Sequence, residues 1–222
     1  MRGPGDDARA MTVRGPRAGD RPGARSLAGR FRAAEDGIAA VEFAMFAPIL
    51  ILMIVGCAEL SHFANNARKV GFLARAIGEI ASHGETLDAA AAAKLFGAAG
   101  LILPPFDGTT AKVRLSTIGA PAKDGAVTAK VCSTAATANA APRAVGEDVT
   151  HLFSNEEAGT RFLYVEVEMP YRILFASGIL SPDHGSDSLT IRKTLKWPVR
   201  KGVRKNSRYP EVVLPIGGAC TA

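Results

Sequence analysis

The sequence predicts an α+β chain, in which a long N-terminal transmembrane and amphipathic helix precedes a small domain with a mostly antiparallel sheet. Residues 38–60 form an apolar run, and residues 60–81 repeat apolar side chains at helical spacings of three and four. From residue 112 onward, short runs of strand-forming residues follow one another. Helices first and strands afterwards is the order of an α+β arrangement. The 222 residues suit one domain with additional segments, and 47% hydrophobic content excludes a wholly disordered chain.

Charge is unevenly placed along this order. Residues 1–37 carry eight Arg and five acids, and residues 188–210 carry eight basic residues and no acid. With a formal net charge of +6 for the chain, everything else sums to −5. Charge confined to two ends argues against a uniformly basic nucleic-acid binder. Four segments follow: a basic leader over 1–37, a span over 38–60, a helical stalk over 61–97, and an outer domain over 98–222.

Between Glu42 and Glu59 lie sixteen uncharged residues. Counted from Ile38, the apolar helix is about 31 Å long, against about 30 Å of bilayer hydrocarbon. The alternative is a buried helix of a soluble protein. Against it, the run is apolar all round, follows an Arg-rich leader and has no comparable partner segment. Arg17, Arg21, Arg25, Arg30 and Arg32 precede the span, and Arg68, Lys69 and Arg75 follow it. That bias places the N-terminus in the cytoplasm and the outer domain across the membrane.

Glu42 is out of place in a plain anchor. A carboxylate at mid-span costs about 2.5–3.5 kcal/mol on insertion scales, and calls for a partner or a route to the interface. It snorkels, or it meets a cation. Cleavage after Gly37 would create one, the α-amino group of Ile38, about one helical turn from Glu42 of its own or a neighbouring chain.

The string Gly37-Ile-Ala-Ala-Val-Glu42-Phe43, with basic residues before it and an apolar run after it, resembles the processing site of type IV prepilins and pseudopilins. More narrowly, the segment is similar to the TadE-like proteins of the tight-adherence pilus system. Their Ala-Val-Glu-Phe-Ala core falls on Ala40 to Ala44, a following proline on Pro48, and the second glutamate on Glu59. A weaker similarity lies near 161–197. The resemblance implies a non-enzymatic, pilin-like assembly protein of the inner membrane. Its partners would be other pilin-like subunits, the inner-membrane assembly platform and a prepilin peptidase cutting between Gly37 and Ile38. Glu42, Phe43, Pro48 and Glu59 would set subunit register, and no cofactor, nucleic acid or small-molecule substrate is implied. A competing pattern, Ile54-Val55-Gly56-Cys57, resembles a lipobox, which keeps open a lipoprotein or a generic anchored envelope-binding protein.

Beyond the span, Leu60, Phe63, Ala67, Val70, Ala74, Ile77 and Ala81 form the apolar stripe of an amphipathic helix. Together with the span this predicts one helix of about 65 Å. Pro48 is expected to kink it, and Gly71, Gly78 and Gly84 to weaken it. Thr86 is expected to cap a second helix over Leu87–Phe96. Strands are expected at Lys112–Ile118, Ala126–Cys132, Arg161–Glu168 and Leu189–Trp197, with residues 133–160 as a loop or short helix. Over Arg161–Met169, Phe162, Tyr164, Glu166 and Glu168 alternate with Leu163, Val165, Val167 and Met169, a sheet with two unlike faces.

Cys132 and Cys220 both fall in the outer domain, where an oxidising compartment allows a disulfide. His62, His83, His151 and His184 lack zinc-site spacing, and no nucleophile elbow or phosphate loop is present. Asp183–Ser188 reads as a polar turn. The basic run Arg192, Lys193, Lys196, Arg200, Lys201, Arg204, Lys205 and Arg208 has two readings. One is a solvated strand edge; the other is contact with anionic lipid head groups or an acidic partner subunit.

Overall fold

The computed structural model describes residues 36–123, 126–153, 157–173 and 188–221. The basic leader up to residue 35 and most of the polar turn, residues 183–187, lie outside the described residues. The chain divides into two units, Met1–Ile51 and Leu52–Ala222. In the first, the described residues are helical, within helix α1 (Asp36–Ser82), which continues unbroken through Pro48. From Gly37 to Ile51 its residues are exposed apart from half-buried Ala47. No part of the most apolar stretch is buried, and the helix is long and apolar enough to cross a membrane.

In the second unit α1 changes character. Asn66, Val70, Leu73, Ala74, Ile77 and Ala81 are buried, at helical spacings, while Asn65, Arg68, Phe72 and Arg75 are exposed. The buried stripe packs into one apolar cluster with two short helices, α2 (Ala89–Phe96) and α3 (Ala99–Ile102), and with a sheet. That sheet has five antiparallel strands in the order β6-β5-β1-β4-β7. They are β1 (Lys112–Gly119), β4 (Lys130–Ala136), β5 (Arg161–Arg172), β6 (Ser188–Pro198) and β7 (Ile216–Gly217). A separate small ribbon joins β2 (Ala122–Lys123) to β3 (Ala126–Val127).

Strand β5, paired with β6 on one side and β1 on the other, is covered on both faces. Val113 and Leu115 of β1 sit opposite Val167 and Val165 of β5, and these side chains join the cluster with α1. Phe162 and Tyr164 point the other way, into a second cluster with Ile118, Val131 and Val149. Further along that outer face, Glu166 and Glu168 do not simply meet water. The Arg143 guanidinium grips Glu166 at 2.7 and 3.0 Å, and Arg114 and Arg192 flank Glu168 at 3.1 and 3.0 Å. Such near-buried, paired carboxylates make the outer face a cross-linked layer.

Several element boundaries differ from expectation: β5 runs on to Arg172 rather than ending at Glu168, and two further differences have a clear cause. Thr86 does not cap α2, because its backbone is drawn into a parallel bridge with Val213. Leu87 N–H donates to Val213 O and Val213 N–H to Glu85 O, which holds the chain extended there. The helix therefore starts after Asp88, whose carboxylate accepts from Ala91 N–H at 2.7 Å. The strand expected over Ala126–Cys132 is two strands. Thr128 N–H turns to Pro121 O and Ala129 N–H to the Thr150 hydroxyl, and β4 resumes at Lys130 and runs on to Ala136, inside the expected loop.

Gly78 is no weak point. It faces the only tryptophan, and a Cβ at Gly78 would lie 3.0 Å from Trp197 Cγ. Trp197 Nε1 donates to Glu79 Oε2 at 3.1 Å. Gly78→Leu is expected to cost about 1–3 kcal/mol by overpacking, despite leucine's better helix propensity. Denaturant titration of the full chain in detergent, followed by Trp197 fluorescence, reads this directly; an unchanged midpoint would mean the contact is loose.

Candidate functional site

Gly37, Ile38, Glu42, Phe43 and Pro48 all lie on the exposed part of α1. Gly37 and Ile38 occupy its first turns. Glu42 has no ion-pair or hydrogen-bond partner among the described residues, whereas the remaining residues around it are apolar. Cys57 is a free, exposed thiol on the same helix.

Glu59 is differently placed, because the folded domain reaches it. The Tyr171 hydroxyl donates to Glu59 Oε1 at 2.5 Å, with His62 Nδ1 3.4 Å from the same hydroxyl. Phe63 stacks edge-on against Tyr171, ring centroids 5.2 Å apart, and Phe106 packs edge-on against His62 at 4.8 Å. Burial, then the neighbouring Glu59 carboxylate, push the Tyr171 hydroxyl well above its ordinary range, so it stays a donor. Tyr171 was not among the residues singled out from sequence. The alternation that puts Leu163 to Met169 on one face also puts Tyr171 there, facing the helix.

Members of the basic run have different surroundings. Arg192 pairs with Glu168, Arg200 with Glu79 at 3.2 Å, and Arg208 with Glu157. Lys196 lies over the Phe162 ring at 4.4 Å. Lys193, Lys201, Arg204 and Lys205 are exposed and have no carboxylate partner among the described residues. The loop carrying the last three is held firmly. Val203 and Glu211 exchange two backbone hydrogen bonds of 2.8 Å, Asn206 Nδ2 donates to Cys220 O, and the Ser207 hydroxyl donates to Gly159 O. At Gly202 φ is +54° and a Cβ would sit 2.5 Å from Glu211 O, so only glycine fits this turn. Arg200 and Lys201 N–H groups both donate to Ser82 O, at the end of α1. That is 23 residues from Glu59, about 34 Å along the helix.

Several surface carboxyls are held below their ordinary values. Donation from His83, then Arg200, lowers Glu79; the Tyr209 hydroxyl and Arg208 lower Glu157; Thr109 lowers Asp107 and Thr150 lowers Asp148. A depressed carboxyl stabilises the fold above its unfolded pKa and loses that contribution as pH falls through the folded value. The urea midpoint should therefore be flat from neutrality down to about pH 5 and decline below it. A midpoint that rises on acidification would contradict these pairings.

Cys132 and Cys220 are joined by a disulfide. It abuts a buried polar pair absent from the sequence reading, Arg161 and Glu211, whose side chains are 1% and 2% exposed. Glu211 Oε2 accepts from Cys220 N–H at 2.8 Å and lies 3.9 Å from Arg161 Nε, while Arg161 Nη2 donates to Thr221 O at 2.6 Å. A Cβ at Gly119 would lie within 3.0 Å of Arg161 Nη1 and of both sulfurs. Cys132, Glu211 and Cys220 have ligand atoms within 4.8 Å of one another, but the sulfurs are consumed by their mutual bond. By alternation Arg161 belongs with Leu163, Val165 and Val167 rather than with the outward set, but its partner Glu211, fifty residues on, is not legible in that local pattern.

Apart from the cluster of Glu59, Tyr171 and His62, the histidines stand separately. His83 bonds Glu79, His151 is exposed on a 3₁₀ turn (Thr150–Leu152), and His184 lies outside the described residues. A groove of about 620 Å³ between α2 and β4 is lined by small apolar residues such as Ala92, Ala93, Gly97 and Ala135, with no titratable side chain.

Residues 37–78 match the family model described as TadE-like protein. No curated protein matches the chain, and no solved structure does. The family match and the long apolar helix together support a pilus-related membrane protein with a single span.

Proposed function

Given a chain whose residues 37–78 carry the TadE-like pattern, we propose that it serves in assembly of a tight-adherence, type IV-related pilus, through subunit contacts and without chemistry of its own. It is held in the inner membrane by α1, with its N-terminus in the cytoplasm and the sheet domain in the periplasm. The observation that carries this reading is Glu42, a carboxylate with no partner among the described residues, on an exposed apolar helix five residues past Gly37. A prepilin peptidase cutting after Gly37 would leave the Ile38 amine one turn away. In hydrocarbon, the Ile38 amine of one subunit and Glu42 of the next neutralise each other, and each removes the other's desolvation cost. Their pairing sets axial register, with Phe43 and Pro48 shaping the same stretch. Glu59 is engaged by Tyr171 of its own chain, so register rests on Glu42.

Glu42→Ala is expected to leave membrane insertion intact and to abolish piliation; normal piliation would overturn the reading. Intact mass of the membrane-extracted protein gives an independent check. A chain starting at Ile38 supports cleavage by a prepilin peptidase, and a lipidated chain starting at Cys57 would replace it with the lipoprotein alternative.

A further inference from the structure

We propose that the end of the sheet formed by Tyr171, Arg172 and Leu189 is seated in the lipid head-group layer at the mouth of the span. This rests on the single-span reading and adds to it a second, peripheral contact with the same bilayer.

The absence of a linker carries the inference. Leu52–Ala58 is apolar helix, exposed apart from half-buried Val55, and α1 continues without a break into the part that the domain packs on. The head-group layer on each side of a bilayer is about 5–7 Å deep, from the difference between hydrocarbon and total thickness. From Ala58 to His62 and Phe63 the helix rises only about 6–8 Å. The domain already touches α1 at that height, through Tyr171 on Glu59, Phe63 on Tyr171 and Phe106 on His62. A span that fills the hydrocarbon up to Ala58 therefore brings these groups into the interface.

The direction of the sheet settles which other residues share that height. Tyr171 meets Glu59, and Trp197, opposite Leu163, meets Gly78. From Glu59 to Gly78 the helix rises about 29 Å, and from Tyr171 back to Leu163 the strand covers about 26 Å. The two lengths agree, so β5 runs alongside α1 and its Arg172 end points at the membrane. Leu189 sits directly opposite Tyr171 in the β5–β6 register and is 53% exposed, and Arg172 is exposed beside it. Leu60 is 68% exposed at the same level. Exposed leucines around an aromatic cluster, with an arginine at the edge, are unfavourable in water and suited to an interface, where rings and guanidinium heads sit among head groups. The Tyr171 hydroxyl supplies the hydrogen bond that Glu59 needs at that depth.

The test uses the full chain with Cys57→Ser, so that a single introduced cysteine takes an environment-sensitive fluorophore. The three sites are Leu189→Cys, Lys205→Cys and Leu52→Cys, all exposed and outside the core. Labelled protein is reconstituted in vesicles of phosphatidylethanolamine and phosphatidylglycerol carrying a nitroxide lipid, either at the head group or deep in the chain. Leu189→Cys is expected to be quenched roughly threefold or more more strongly by the head-group nitroxide than Lys205→Cys, with a blue-shifted emission. If residue 189 reports water as residue 205 does, while residue 52 is quenched by the deep nitroxide, the domain stands off the bilayer and the seating is wrong. If residue 52 is not quenched by the deep nitroxide, the span itself fails, and the seating fails with it. Unchanged Trp197 emission in each unlabelled variant shows that the fold is kept.

Discussion

Glu211→Ala is expected to destabilise the folded chain by about 3–5 kcal/mol, the range seen when one partner of a buried pair is removed. Glu211 and Arg161 are almost wholly buried, and burial pulls the Arg161 guanidinium down from its ordinary value while Glu211 opposes that shift. Among the described residues Arg161 Nε has no hydrogen-bond partner, so Glu211 is its electrostatic compensation rather than a close bond. Removing the carboxylate leaves a buried guanidinium unpaired and frees the Cys220 N–H as well. Denaturant titration in detergent gives the change. A paired replacement, Arg161→Met with Glu211→Leu, should recover a large part of the loss, because it removes the charge that had to be compensated. A single-variant loss under about 1 kcal/mol would show that the pair is solvated in the native protein.

Cys220→Ser is expected to cost about 4–5 kcal/mol if chain entropy governs, given the 88-residue separation that the bond closes. Wild-type protein under reductant should shift by a similar amount, and non-reducing mobility should change with it. A variant with unaltered midpoint and mobility would mean that the bond is not formed in the protein as made. Glu211→Ala and Cys220→Ser act on the same C-terminal stretch, which is also held by Arg161 and Asn206. Their combined cost should therefore be smaller than the sum of the two, a coupling that the double variant measures.

Much of this fold could be read from the chain because its signals are local. The apolar run, the three-and-four spacing from Leu60 to Ala81 and the alternation of β5 each depend only on neighbours in sequence. What could not be read depends on distant segments. Thr86 has the right side chain for a cap, but Val213, more than a hundred residues away, pairs with its backbone first. Glu166 and Glu168 look like a solvent face until Arg143, Arg114 and Arg192 arrive from other elements. The site divides in the same way. Glu42 was visible as an oddity in an apolar run, whereas Tyr171 as the partner of Glu59, and Arg161 with Glu211 beside the disulfide, required the tertiary structure. In the basic tail, eight like charges follow one another in sequence, and the fold pairs three of the arginines with separate glutamates.

The paired contacts of Tyr171 with Glu59 and of Trp197 with Gly78 make α1 intolerant of changes in length. Each inserted or deleted residue turns everything beyond it by about 100° and shifts it by about 1.5 Å. A one-residue deletion between Glu59 and Gly78 would point either the carboxylate or the glycine notch away from its partner. Four residues restore the facing only approximately, and displace it by about 6 Å. Between these two marks the helix is expected to accept exchanged residues far more readily than gained or lost ones.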